Sequence, residues 1–176
     1  MASLVYNGDL LFMTAGYPDL HMLAIRPHGR GNVTDTHVAW RTTRGASYVP
    51  SPIAAGDYFL VVSDGGIASC FEAKTGDRLW MERLGTHFSA SLVSAGGLVY
   101  FLSDDGTMTV VRPGPKLEII AENKLGEYCY ASPAISQGQL FLRGEKNLYA
   151  VGQRSDDFDQ KLPPNGGRLE VYRREK

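Results

Sequence analysis

The chain has 176 residues, of which 43% are hydrophobic and 21% charged, and a net charge of −1. That balance is typical of a soluble globular chain with a sizeable core. It creates no field that would draw in nucleic acid or an anionic membrane surface. No apolar run approaches the roughly 18 residues of a membrane span, and Met1 to Leu11 lacks the basic-then-apolar pattern of an export signal.

Twenty glycines, nine prolines and short apolar runs predict many turns and many strands. A first unit starts at Ser3, turns at Gly8-Asp9 and continues through Leu10 to Met13. An insertion, His28 to Asp35, then precedes a strand carrying Trp40. The second unit is the clearest. Val49 to Ala55, Tyr58 to Ser63, Ile67 to Glu72 and Arg78 to Leu84 read as strands. They are separated by Gly56-Asp57, Asp64-Gly65-Gly66 and Lys74-Thr75-Gly76-Asp77. The third unit repeats this as Phe88 to Ala95, Leu98 to Ser103, Thr107 to Arg112 and Glu118 to Leu125. The fourth gives Cys129 to Ser136, Gln139 to Arg143 and Asn147 to Val151. A polar stretch, Gln153 to Gly167, then leads to a last strand within Arg168 to Arg173. No stretch of about ten residues escapes Gly, Pro or a turn pair, so a helical reading fails.

The units share columns. Ser3, Ser51, Ser91 and Ser132 each precede a turn and an apolar run; Trp40 and Trp80 stand in the fourth strand of the first and second units. Four-stranded antiparallel sheets repeating every 40 or so residues, apolar on both faces, predict an all-β fold: a β-propeller of about four blades. The blades fall at about 1–45, 46–85, 86–126 and 127–176 of one domain. Trp40 and Trp80 are expected in outer strands packed between blades, with Gly76 as a repeat turn residue. Ile120 stands near the Trp column of the third unit.

The string Cys70-Phe71-Glu72-Ala73-Lys74-Thr75-Gly76-Asp77-Arg78-Leu79-Trp80 resembles the L-D-A-x-T-G-x-x-x-W pattern of PQQ-like (quinoprotein-type) propeller repeats. Ser51-Pro52 leading to Gly56, and Ser103-Asp104-Asp105-Gly106, match further family columns. Ile25-Arg26-Pro27, leading to His37-Val38-Ala39-Trp40, is similar to bacterial secreted or membrane-associated members, among them relatives of the outer-membrane assembly lipoprotein. The resemblance covers about residues 1 to 152. It implies the carboxy-terminal half of a ring of seven or eight blades, a binding scaffold, and a periplasmic or exported location.

Catalytic chemistry is not visible. Quinone-dependent dehydrogenases of the family would need an adjacent cysteine pair and calcium ligands, whereas Cys70 and Cys129 are far apart and read as buried thiols. Asp104-Asp105-Gly106 lacks later calcium ligands and reads as a hairpin turn. His21, His28, His37 and His87 have no metal-ligand spacing, and no nucleophile elbow, P-loop or H-E-x-x-H occurs. Asp156, Asp157 and Asp159 read as a solvated loop. The expectation is a protein that is not an enzyme and carries no metal or cofactor.

A meander places the inter-blade loops and the second-to-third-strand turns on one face. The loops supply Tyr48, His87, Phe88, Glu127, Tyr128 and Tyr130. The turns supply Asp64, Asp104, Asp105, Glu145 and Lys146. Such loops on a rigid scaffold are where recognition usually sits, so these residues form the candidate binding face for a protein or peptide. A competing reading makes Tyr48, Phe88 and Cys129, which share a column, simple caps of the inner strands. Two other functions stay open: a fragment of a quinone-dependent dehydrogenase, or a carbohydrate-binding propeller, the latter on the Tyr-rich rim alone. An open array would leave two end faces bare, expected to carry Leu4, Leu11 and Phe12 at one end and Phe141, Leu142 and Tyr149 at the other. A homodimer closing an eight-blade ring, the remainder of a longer chain, or a small closed ring would each cover them.

Overall fold

A computed structural model describes residues 2–15, 19–152 and 170–173. The first sheet holds β1 (Val5–Tyr6), β2 (Leu11–Ala15), β3 (His21–Ile25) and β4 (Val38–Thr42). The second holds β5 (Ile53–Ala55), β6 (Tyr58–Val62), β7 (Ile67–Glu72) and β8 (Arg78–Arg83). The third holds β9 (Val93–Ala95), β10 (Leu98–Leu102), β11 (Thr107–Arg112) and β12 (Glu118–Lys124). The fourth holds β13 (Ala134–Ser136), β14 (Gln139–Arg143), β15 (Asn147–Gly152) and β16 (Glu170–Arg173). In every sheet the strands lie in chain order and each neighbouring pair is antiparallel, so each is an up-and-down propeller blade. The insertion in the first blade carries a single helical turn, α1 (Thr34–His37), and closes through the Arg26 N–H donating to the His37 carbonyl at 2.8 Å.

The strands read from sequence coincide with β7, β11 and β14, but the innermost strands are shorter than expected. The reason is that residues ahead of them spend their amides elsewhere. The Tyr48 and Val49 N–H groups donate to Asp64, the Ser89 N–H to Asp104, and the Ser51 N–H to Ser91 Oγ. The serine column is a ladder: Ser3 N–H donates to Ser51 Oγ at 2.9 Å, Ser51 N–H to Ser91 Oγ at 3.0 Å, and Ser91 N–H to Ser132 Oγ at 2.9 Å.

The core lies between blades rather than within them. Phe12, Met22 and Trp40 of the first blade pack on Phe59 and Phe71 of the second, with the Phe12 and Phe59 rings stacked 4.5 Å apart. Leu60, Val62 and Cys70 face the third blade and meet Phe88, Val99 and Phe101. Leu102, Met108 and Val110 meet Leu142 and Tyr149 of the fourth. Successive residues of β6 thus serve opposite neighbours, and so the strand reads as a continuous apolar run rather than an alternation. This corrects the expected end faces. Phe12, Leu142 and Tyr149 point inward to neighbouring blades and are buried.

Each tryptophan sits on the next blade. Trp40 Nε1 donates to the Ala73 carbonyl at 2.8 Å and Trp80 Nε1 to the Gly114 carbonyl at 3.1 Å, both in the third turn of the blade that follows. Gly76 has φ +77°, and a Cβ there would lie 2.6 Å from Trp40 Cδ2. It is therefore glycine for its backbone and for the indole it receives. Trp40 pairs with Ala24 and Trp80 with Cys70, each beside a bulge. The same bulge in the third blade puts Ala121 opposite Val110. Ala121, not Ile120, occupies the Trp column, and it is the one shielded residue of β12.

Replacing Trp40 by Ala is expected to cost about 3–5 kcal/mol, as for other large buried aromatics. Trp80→Ala should cost less, because Trp80 is only half-buried. Urea unfolding of the two variants checks the order; equal and small shifts would contradict the inter-blade seat.

Candidate functional site: the loop face

The loops between blades are held from both sides. The Phe88 N–H donates to the Asp64 carbonyl of the preceding turn at 3.0 Å, while the His87 carbonyl accepts from the Asp104 N–H of the following turn at 3.0 Å. One blade on, the Cys129 N–H donates to the Asp104 carbonyl at 3.0 Å and the Tyr128 carbonyl accepts from the Glu145 N–H at 2.9 Å. Gly66 and Gly106 make this approach feasible: a Cβ on either would overlap the backbone carbonyl oxygen of Gly85 or Glu127.

Carboxylates complete the clamps. Asp64 accepts the Tyr48 and Val49 N–H groups at 3.0 and 3.1 Å. Asp104 accepts the Ser89 N–H at 2.7 Å and its hydroxyl at 3.0 Å, and lies 2.6 Å from His87 Nδ1. In the fourth blade the direction is reversed. Here the loop supplies the carboxylate: Glu127 accepts the Lys146 N–H at 2.7 Å, Asn147 Nδ2 at 2.8 Å and the Tyr149 hydroxyl. Partial desolvation opposes ionisation of Glu127, but these hydrogen bonds outweigh it and draw its pKa from 4.5 down to about 2. Asp105 is also held low, by the Ser103 hydroxyl against its own desolvation and by the Thr107 N–H. Those bonds, donated by the Ser103 hydroxyl and by the Thr107 N–H at 3.0 Å, are the turn chemistry of Asp105.

The sequence-derived residues divide into three groups. His87 and Asp104 touch. Asp105, Glu127, Tyr128, Glu145 and Lys146 surround one hollow of 410 Å³, together with Gly126. Tyr128 and Tyr130 stack beside it, with centroids 6.2 Å apart and planes 3° from parallel, and are 55% and 51% exposed. The Tyr130 hydroxyl is pushed up by local desolvation and by the negative charges of Glu145 and Asp104. Phe88, by contrast, is fully buried in the contact between the second and third blades, and Cys129 is buried one contact further on. Both act as caps in their shared column. Tyr48 leaves that column: Ser47 takes the buried place, donating to the Pro50 carbonyl at 2.7 Å, and Tyr48 is half exposed. Sequence patterning does not place Ser89 or Asn147 at this face, and it places Tyr149 on an end face instead. Asn147 and Tyr149 alternate on β15 and so share a face, a signal open to periodicity; Ser89 carries none.

The face does not assemble a Ser–His–Asp triad among the described residues. Ser89, His87 and Asp104 are the residue types of a nucleophilic triad, but the Ser89 hydroxyl donates to Asp104 and not to the imidazole, so the Ser–His–Asp relay order is not formed. Among the described residues no group of three His, Cys, Asp or Glu could hold a metal ion. The two thiols are free and lie in different inter-blade contacts. Burial pushes Cys70 up to about 12, and burial with the nearby Glu127 charge pushes Cys129 to about 11. No helix of the described residues is long and apolar enough to cross a membrane.

Because the folded state holds Glu127 ionised well below its usual range, its contribution to stability is complete above about pH 4.5 and is lost as pH falls toward 2. Glu127→Gln should flatten that part of the acid limb of a stability-versus-pH curve, measured by urea midpoints. An unchanged limb would show that the clamp does not form in solution.

The family model described as "Outer membrane protein assembly factor BamB" matches residues 30–113. A curated relative of that description from Burkholderia pseudomallei is 28% identical over 113 residues. That match takes in 63% of this chain and 29% of the relative, so the chain spans less than a third of its length. Among solved structures, BamB from Moraxella catarrhalis superposes with a TM-score of 0.69 at 11% identity, covering 86% of this chain and 46% of that one. A europium-containing methanol dehydrogenase superposes at 0.52 and 13% identity, covering 70% of this chain and 23% of the other. At such identities the structural likeness carries the fold alone, and one fold here hosts both an assembly factor and an enzyme. With its blade topology and T-G-x-x-x-W seat, the chain is a β-propeller with PQQ-like repeats that is similar to the outer membrane protein assembly factor BamB.

Proposed function

We propose that this protein is a non-catalytic propeller that docks a protein or peptide partner on its loop face. The observation that carries the reading is the stacked, half-exposed Tyr128–Tyr130 pair. It flanks a hollow with fixed carboxylates on loops that are hydrogen-bonded to the blades on both sides. Rigid aromatic surface costs little conformational entropy to dock, and Tyr is enriched where partners bind tightly. Glu127, Asp105 and Asp104 each accept hydrogen bonds from neighbouring scaffold residues, which supports a role in fixing the loops that carry the tyrosines. The likeness to outer membrane protein assembly factors supports a partner among proteins that take part in that assembly, and with it a periplasmic or exported location. The Ser89 hydroxyl tied to Asp104 supports a scaffold over an esterase-like reading.

Replacing both Tyr128 and Tyr130 by Ala should leave stability within about 0.5 kcal/mol, as surface changes do. Co-purification of envelope proteins with the chain should fall by about tenfold or more. Quantitative mass spectrometry of wild-type and variant pull-downs is the measurement. Identical recovery of the same partners from both would overturn the loop face as the docking surface.

A further inference from the structure

The three inter-blade contacts are built on one plan, and the third departs from it. Trp40 closes the first contact and Trp80 the second. In the third contact the column holds Ala121, and Cys129 and Leu142 stand where Phe88 and Phe101 stand in the second. Tyr100 and Met108 are larger than their counterparts Leu60 and Ala68, but they do not restore the lost volume. A groove of 610 Å³ remains between the third and fourth blades, lined mainly by Leu98, Tyr100, Met108, Val110, Leu140 and Val151. Val110 is the cross-strand partner of Ala121, and Asn123, two residues further along the same face of β12, also borders the groove. The space therefore adjoins the position where the repeat elsewhere places an indole.

We propose that this groove is a binding site for one aromatic side chain, an indole or phenyl ring, presented by a partner peptide. The ligand chemistry is read from the molecule's own repeat: two equivalent contacts are each completed by an indole, and among the described residues the third offers apolar walls without one. An aromatic ring buries a large area for few frozen torsions. Met108 suits such a guest, since an unbranched thioether adapts its shape and packs well on ring edges. Asn123, Lys124 and Gln139 border the groove and supply hydrogen-bonding groups for the main chain that carries the ring. None of the groove residues belongs to the loop face, so this site stands or falls separately from the docking surface proposed above.

The test uses the whole chain labelled with 13C at its methionine methyls and titrated with N-acetyl-tryptophan amide. Met108 lines the groove, while Met22 lies in the first contact and Met81 on an exposed outer strand, so the last two report non-specific effects. The Met108 methyl is expected to shift saturably with the other two unmoved, and N-acetyl-leucine amide should bind roughly fivefold more weakly, the scale of an aromatic packing preference. Ala121→Trp restores the indole of the other contacts and should abolish the shift while raising the thermal midpoint. Leu142→Phe fills the groove from the opposite wall and should also weaken binding, which keeps the test decisive if the first variant does not fold. An unshifted Met108 at millimolar probe, an equal response to the leucine amide, or an unchanged response in the folded filled variants would each overturn the proposal.

Discussion

Everything in this molecule depends on the contact between one blade and the next. A single four-stranded sheet of this kind is apolar on both faces and has no core of its own, so its burial must come from its neighbours. Phe59 looks toward one neighbour and Leu60 toward the other. The contact is not a general hydrophobic adhesion. In the first two contacts it is keyed by an indole whose N–H is satisfied by a carbonyl in the receiving turn, and in the first also by a glycine there that leaves room for the ring. The pairing of a T-G turn with a Trp a few residues on therefore records two different contacts. The glycine serves the tryptophan of the blade before, and the tryptophan serves the turn of the blade after.

The loop face inherits its order from these contacts. The loops that follow the second and third blades cross at places where two turns are already fixed, and main-chain bonds reach both. Side-chain carboxylates then lock it, from the turn in the second and third blades and from the loop in the fourth. That exchange gives the same mechanical result from unrelated residues, Asp104 in one case and Glu127 in the other. It leaves Tyr128 and Tyr130 on a frame already ordered by hydrogen bonds, so the docking proposed for them would carry a lower entropic cost.

The columns of serine, turn glycine and tryptophan were legible because each is local and recurs at a nearly constant spacing. Three strands were read to the residue for the same reason. Other features were not legible, for separable causes. A bulge consumes one residue without changing composition, so Ile120 looked like the column member when Ala121 is. Inner strands appeared longer than they are, because the amides ahead of them bond to side chains, which periodicity does not register. Blade faces that are both apolar give no clue as to which residue meets which neighbour, and Phe12 and Leu142 were assigned outward on that account. At the loop face, Phe88 and Tyr48 share a column and differ in fate: Phe88 is buried, whereas Tyr48 bonds its amide to Asp64 of its own blade and turns outward. The Glu127 clamp joins residues about twenty apart, and no spacing rule anticipates it.

The serine ladder has a sense of direction. At every step the amide belongs to the earlier blade and the hydroxyl oxygen to the later one. The array is thus a head-to-tail polymer in miniature, with a donor side and an acceptor side that cannot be interchanged. A blade turned over, or offered from the wrong side, would face donor with donor and acceptor with acceptor along its innermost edge. Handedness of growth around the central axis is in this way written into hydroxyl groups only one atom beyond the backbone.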